Sequence, residues 1–229
     1  MSRLIDRIYV ENPYAGFPLD QHAPDVQGWG SHNPIFRGVV DAFQPKIIIE
    51  VGSWKGASAI TLADHCKNAG IDTEIICVDT WLGSIEHWLE HDKEDFFPSL
   101  RLLNGYPQLF YTFMRNVIEA GHVDMITPLP MPSLQAAKFL ERHQVKADLI
   151  YLDSSHDYSS VKSDLEAYSK LLSKEAVILC DDYIGWKSVT EAVNDFVLAN
   201  NWHVVGERGK ALISPSRVAK LSVNRKSEA

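Results

Sequence analysis

Five short apolar runs constrain this chain more than any other feature: KIIIEV (46–51), EIICVD (74–79), VDMITPL (123–129), ADLIYLD (147–153) and EAVILCDD (175–182). They are nearly continuous rather than alternating. A strand of that kind is buried on both faces, the condition of a parallel sheet covered by helices. Helix-period segments separate them: GASAITLADHCKNA (56–69), PQLFYTFMRNVIEAG (107–121), SLQAAKFLERHQ (133–144) and SSVKSDLEAYSKLL (159–172). The alternation predicts an α/β chain of doubly wound type. A last helix, SVTEAVNDFVLANN (188–201), precedes WHVVGE (202–207) and KALISP (210–215), with only Arg208 and Gly209 between the two runs. No crossover helix fits there, so these runs form an antiparallel hairpin.

At 229 residues the chain is long enough for one three-layer domain. The expected divisions are an N-terminal extension with a short helix over 1–45, the main domain over 46–217, and a disordered tail over 218–229. A formal net charge of -8 weighs against non-specific nucleic-acid binding and against an anionic membrane surface as partner. The N-terminus lacks the apolar core of a signal peptide, and no apolar run approaches the ~20 residues that span a bilayer. Cys66, Cys77 and Cys180 lie in apolar runs and read as buried free thiols of a cytoplasmic protein.

EVGSWKGAS (50–58) follows the first strand and opens the first helix. Gly52 and Gly56 permit a tight turn and a close backbone approach, and the helix N-terminus offers N–H groups to an anion. The middle glycine of the dinucleotide fingerprint is absent. The second strand ends in Asp79, where an acid can accept hydrogen bonds from ribose hydroxyls. Residues 80–106 then form a connection far longer than the usual ~2–6 residues. It carries Trp81, Trp88, Phe96 and Phe97, which suits either a cap over a substrate or an excursion packed on the domain.

In order and spacing, EVGSWKGAS, IICVDTW and PLPMPSLQAA resemble the S-adenosylmethionine (AdoMet) motifs of class I methyltransferases, in particular the catechol O-methyltransferase-like group. The resemblance covers about 46–215. It implies a Rossmann-like three-layer sandwich whose seven-stranded, mostly parallel sheet ends in the antiparallel hairpin. It places Glu50, Gly52, Ser53 and Trp54 at the methionine end and Ser58 at the methionine carboxylate. Asp79 and Thr80 fall at the ribose, Trp81 beside the adenine or over it, and Ser133 near the adenine amine.

The fourth strand ends in Asp153 and the fifth in Asp181 and Asp182. Neighbouring parallel strands bring such ends to one rim, and three like charges there call for a counter-charge. Oxygen donors of this kind suit Mg²⁺, Mn²⁺ or Ca²⁺. The resemblance agrees: macrocin O-methyltransferase-like relatives carry a matching acidic pair, which implies a divalent-metal site at Asp153, Asp181 and Asp182. His156 stands where the catechol group has its lysine base, so the resemblance implies that His156 removes the acceptor's proton, with Asp153 beside it. In the sugar-methylating relatives the base is two positions after the first ligand, which here is Ser155. Asp157 either orients His156 or, the preferred reading, caps the next helix at its N-terminus. Tyr183 and Trp186 are placed for substrate contact; in the N-terminal GWGSHNPIF, Trp29 and His32 are weaker pocket candidates and Trp29 reads first as packing.

The function expected is AdoMet-dependent, metal-assisted methylation of a hydroxyl on a small molecule, a sugar or natural-product-like acceptor, with a homodimer as the candidate assembly. Two alternatives stand beside it: other chemistry on the same fold, as in hydroxylase-labelled relatives, and AdoMet binding without turnover. The glycine spacing and the terminal hairpin weigh against a nicotinamide dehydrogenase.

Overall fold

A computed structural model describes residues 3–216; the proposed C-terminal tail lies outside the described residues. Two short elements, α1 (Leu4–Ile8) and α2 (Ile35–Phe43), precede the sheet. The sheet then alternates with helices: β1 (Ile47–Val51), α3 (Ala57–Asn68), β2 (Glu74–Asp79), α4 (Ile85–Leu89), α5 (Leu109–Glu119), β3 (Ile126–Pro130), α6 (Ser133–Arg142), β4 (Ala147–Leu152), α7 (Tyr158–Tyr168), β5 (Leu172–Cys180) and α8 (Lys187–Asn200). The hairpin β6 (His203–Glu207) and β7 (Lys210–Ser214) closes it.

Seven strands lie in the order β3-β2-β1-β4-β5-β7-β6, with β7 antiparallel to both of its neighbours and all other pairs parallel. Successive residues of β1 feed opposite faces. Ile48 packs in a core with α2, α3 and α5, while Ile49 and Val51 pack in a second core with α6, α7 and α8. The continuous apolar runs therefore report burial on both faces, and the fold is the Rossmann-like sandwich that they predict.

Several boundaries differ from the sequence reading, among them the strand read over 123–129, which begins as β3 at Ile126. The helix predicted to run to 172 ends as α7 at Tyr168, followed by a 3₁₀ turn at Ser169–Leu171. β5 begins at once with Leu172, which pairs with Ala147 before a register shift. Glu175, in the left-handed region at φ 72°, lies within that irregularity, so the polar residues 173–175 extend the strand instead of ending the helix. The long connection after β2 holds α4, a 3₁₀ turn at Phe97–Leu100 and a bridge between Leu103 and Tyr106.

The chain departs in opposite directions after β1 and β4, which opens a crevice at the carboxyl edge between them. Gly52 sits at its base with φ 88°, and a Cβ there would stand 2.1 Å from the carbonyl oxygen of Asp153. Backbone lies on backbone, so the contact has no flexible side chain to yield. Gly52→Ala is expected to cost about 3 kcal/mol or more from the left-handed φ and the clash together. Denaturant unfolding with an unchanged m-value measures it.

Candidate active site

A cavity of about 1450 Å³ runs along this carboxyl edge. Its floor includes Gly52, Ser53 and Trp54 after β1, Asp79 and Thr80 after β2, and Ser133 at the start of α6. Asp153 and His156 after β4, and Asp181 and Asp182 after β5, lie at the other end. Its walls include Trp29 of the N-terminal segment and His87 and Phe96 of the connection after β2. These three rings and Trp54 form one aromatic cluster, with His87 stacked on Trp54 at 4.2 Å.

The floor is held by polar contacts to backbone. Trp54 takes φ 48°, a left-handed conformation that a bulky residue rarely adopts without external support. The support is Asp79: Oδ2 accepts the Trp54 N–H at 2.9 Å and Oδ1 accepts the Trp81 N–H at 2.7 Å. Burial holds the Asp79 carboxyl above its usual range. The first intrahelical bond of α3 runs from Ile60 N–H to Gly56 O. The N–H groups of Ala57 and Ser58 are thus left at a helix N-terminus on the cavity wall, a favourable position for an anion. The Ser58 hydroxyl itself turns inward and donates to Glu50 Oε1 at 2.6 Å. Likewise the Ser133 hydroxyl donates to Asp164 Oδ1, and Ser154 Oγ donates to Asp164 Oδ2 at 2.5 Å.

At the carboxylate end, two adjacent aspartates face different ways. Asp181 is satisfied by the protein: Oδ1 accepts the Asp182 N–H at 2.8 Å, and Oδ2 contacts Lys210 Nζ and the Tyr151 hydroxyl. Lys210, at the start of β7, is 2% exposed, and its Nζ also lies 3.1 Å from the Tyr151 hydroxyl. Asp182 takes φ 56°, which turns its carboxylate away from Lys210 and toward His156, where Oδ2 meets Nε2 at 2.9 Å. The His156 ring is stacked on Trp186 at 4.4 Å, nearly coplanar at 8°. The hydrogen bond to Asp182 raises the His156 pKa above 6.5, with burial opposing it. Asp153 is bridged to the Asp181 group through the Tyr151 hydroxyl at 2.9 Å. Burial and then the Asp181 charge hold its carboxyl well above the usual range, against the pull of Lys210. Asp157 caps α7 through the Ser160 N–H at 2.9 Å, as its sequence position suggests, and that bonding depresses its pKa.

Most of the residues singled out in the sequence line this cavity, Trp29 and Trp186 among them; Glu50, Trp81 and Tyr183 do not. Neither does His32, whose Nδ1 lies 3.2 Å from Thr61 Oγ1, nor do Trp88 and Phe97, which pack on each other. Glu50 is fully buried beneath the loop. Trp81 is 1% exposed, packs on Phe110 and Phe113, and donates its indole N–H to Trp54 O at 2.7 Å, so it supports the loop from within the core. The Tyr183 hydroxyl donates to Asn194 on α8 at 2.8 Å, and its ring lies against Gly206. Of the three residues expected from the sequence as metal ligands, Asp153 and Asp182 lie together with His156, and Asp181 stands apart from them. Ligand atoms of Asp153, His156 and Asp182 lie within 4.8 Å of one another, whereas Asp181 is paired with Lys210. Sequence reasoning missed Lys210, Tyr151 and His87 as parts of the site, whereas Phe96, one of the capping aromatics it named, does line the cavity. The one available signal was a lysine opening the otherwise apolar KALIS of β7.

Glu50 has a measurable signature. Burial raises its carboxyl above 4.5, and the bonds from Ser58 and Cys77 only partly oppose this. A folded-state pKa above the unfolded value means stability that is fully present below pH 4.5 and lost as pH rises through the folded value. Glu50→Gln, which keeps an acceptor for Ser58, is expected to melt higher than the native chain at about pH 7–8, with the gap closing toward pH 4.5. Thermal scans across that range check it.

Comparison with known proteins places this arrangement. Residues 49–183 match the family described as a methyltransferase domain, more than half of the chain. The uncharacterized protein y4gI of Sinorhizobium fredii is 27% identical over 154 residues, which are 67% of this chain and 15% of that protein. This chain thus spans a small part of the length of the curated relative it matches. Among solved structures, the SAH-bound methyltransferase PaMTH1 of Podospora anserina aligns with a TM-score of 0.58 at 16% identity, over 85% of this chain and 82% of that one. The O-methyltransferase NovP gives 0.60 at 16% identity, over 82% and 80%. Likenesses at this identity show a shared fold, and the family match carries the assignment: the chain belongs to the methyltransferase domain family.

Proposed function

We propose that the protein methylates a hydroxyl oxygen of a small sugar-like or natural-product-like acceptor, with the proton removed at the His156–Asp182 pair. The supporting observation is the 2.9 Å contact between His156 Nε2 and Asp182 Oδ2 in the cavity that also holds the cofactor motifs. In this geometry Asp182 fixes the hydrogen on Nε2, leaves Nδ1 as the proton acceptor and stabilises the imidazolium that forms. Methyl transfer from a sulfonium is a single displacement. The remaining work is to align oxygen, methyl carbon and sulfur, and it falls to the Gly52–Ser58 turn and the cavity walls. The fold relative NovP is named as an O-methyltransferase, which supports oxygen as the nucleophile.

A second reading is favoured by the convergence of Asp153, His156 and Asp182 within 4.8 Å. Two carboxylates and an imidazole are a donor set suited to a divalent cation such as Mn²⁺, and less selectively Mg²⁺. A cation held there would polarise the acceptor hydroxyl. His156 would then be a ligand and not the base.

Chelation separates the two. Turnover that survives EDTA supports His156 as base; turnover lost to EDTA and restored by Mn²⁺ or Mg²⁺ supports the cation. For the base, the neutral imidazole is the active form, so kcat/KM is expected to rise with pH through a midpoint above 6.5. Asp182→Asn should lower that midpoint, and His156→Ala should cost roughly 10²-fold or more in kcat. A pH profile unmoved by Asp182→Asn would remove the pair from the mechanism.

A further inference from the structure

Lys55 is the residue of the cofactor turn that the chemistry above leaves unused, and its side chain is 1% exposed. It does not point to solvent, as a lysine in a glycine-rich turn would by default. Its Nζ donates to Asp25 Oδ2 at 2.7 Å and to Ser99 Oγ at 3.1 Å. Asp25 belongs to the N-terminal segment and Ser99 to the connection after β2. Arg101 of that connection reaches the same Asp25 oxygen at 3.2 Å. One further residue, Asn116 on α5, clamps the backbone of both partners. Its Nδ2 donates to Asp25 O at 2.7 Å and Lys55 O at 2.8 Å, and its Oδ1 accepts the Asp25 N–H at 2.8 Å.

Three segments distant in sequence therefore meet at one buried ammonium. The same three segments supply the aromatic wall of the cavity: Trp29 from the first, Trp54 from the turn, His87 and Phe96 from the connection. Trp54 adds a second tie, because its indole N–H donates to Gln27 Oε1 at 3.0 Å. Its left-handed backbone gives the turn little freedom to adjust alone. A buried ion pair is costly to break by halves, so the knot is either made or open. A ligand that presses the turn into its bound shape thereby favours the made state.

We propose that Lys55 is a positioning residue that couples occupation of the cofactor turn to closure of both covering segments, so that AdoMet binds first and completes the wall against which the acceptor then docks. The proposal rests on AdoMet binding at the Gly52–Ser58 turn. It requires no contact between Lys55 and either ligand.

The test is hydrogen exchange of the full chain with and without S-adenosylhomocysteine, with affinity measured separately by calorimetry. In the native chain the ligand is expected to slow exchange over residues 85–100 and 25–30 by about tenfold, within the usual range of coupling between sites. The double variant Ser99→Ala with Arg101→Met cuts the connection from the knot but leaves the Lys55–Asp25 pair buried, which protects it against a folding failure. It should bind the ligand with nearly native affinity while the added protection over 85–100 falls below about twofold and that over 25–30 persists. Lys55→Met should lose the protection of both segments. A role in stability alone would lower protection with and without ligand and leave the ligand-dependent difference intact, which would overturn the proposal. So would a native chain that binds the ligand with no change over 85–100. A native chain that does not bind the ligand would instead overturn the AdoMet assignment.

Discussion

The contact of Gly52 with the carbonyl of Asp153 is the point on which both halves of the site depend. β1 and β4 are hydrogen-bonded neighbours, and the chain leaves them in opposite directions. The crevice between the departing segments can be deep only if the turn after β1 lies flat on the end of β4. A Cβ at Gly52 would be 2.1 Å from Asp153 O and would lift the turn away. The α3 N-terminus would rise with it, and so would the Trp54 amide from the Asp79 carboxylate. Cofactor floor and acidic end are therefore positioned by one backbone-to-backbone approach that only glycine permits.

Charge then decides which groups at the acidic end remain available. Asp153, Asp181 and Asp182 would repel if all three faced the cavity as free carboxylates. The hairpin resolves this by returning β7 beside β5 in antiparallel sense, which brings Lys210 next to Asp181. The resulting pair, with Tyr151 between it and Asp153, is an internal counter-charge that needs no ligand. Asp182 is released to orient His156. The terminal hairpin thus completes the active-site electrostatics as well as the edge of the sheet.

The layers and strand order were legible because burial on both faces leaves a compositional trace: Ile48 and Ile49 feed different cores, so neither position can be polar. Motif residues were legible where their role is local, as with the Asp157 cap. What was not legible depends on where a side chain turns after the backbone is set. Trp81 follows Asp79 by two residues, yet its own left-handed φ of 53° turns it into the core. Tyr183 follows the acidic pair but is drawn to Asn194. Asp181 and Asp182 are adjacent and chemically identical, and only the φ of Asp182 and the distant Lys210 distinguish them. Such choices are made by partners 11 to 29 residues away in sequence.

The division of labour in the cavity follows from these origins. At about 1450 Å³ it exceeds the ~300–1,000 Å³ typical of a site for one small ligand, as a reaction between two bound molecules requires. Its floor and acidic end come from the ends of strands and the turns that follow them, whose positions the sheet register sets, and Gly52, Asp79, Asp153 and Asp182 stand there. The aromatic wall combines Trp54 of the floor with Trp29, His87 and Phe96, which belong to segments outside the strand–helix repeat. In the proposed reaction, chemistry and acceptor choice are thus carried by different parts of the chain. The repeat could keep the reaction constant while the N-terminal segment and the connection after β2 change the acceptor. Trp54 and Lys55, adjacent in the turn, are where the two parts are joined.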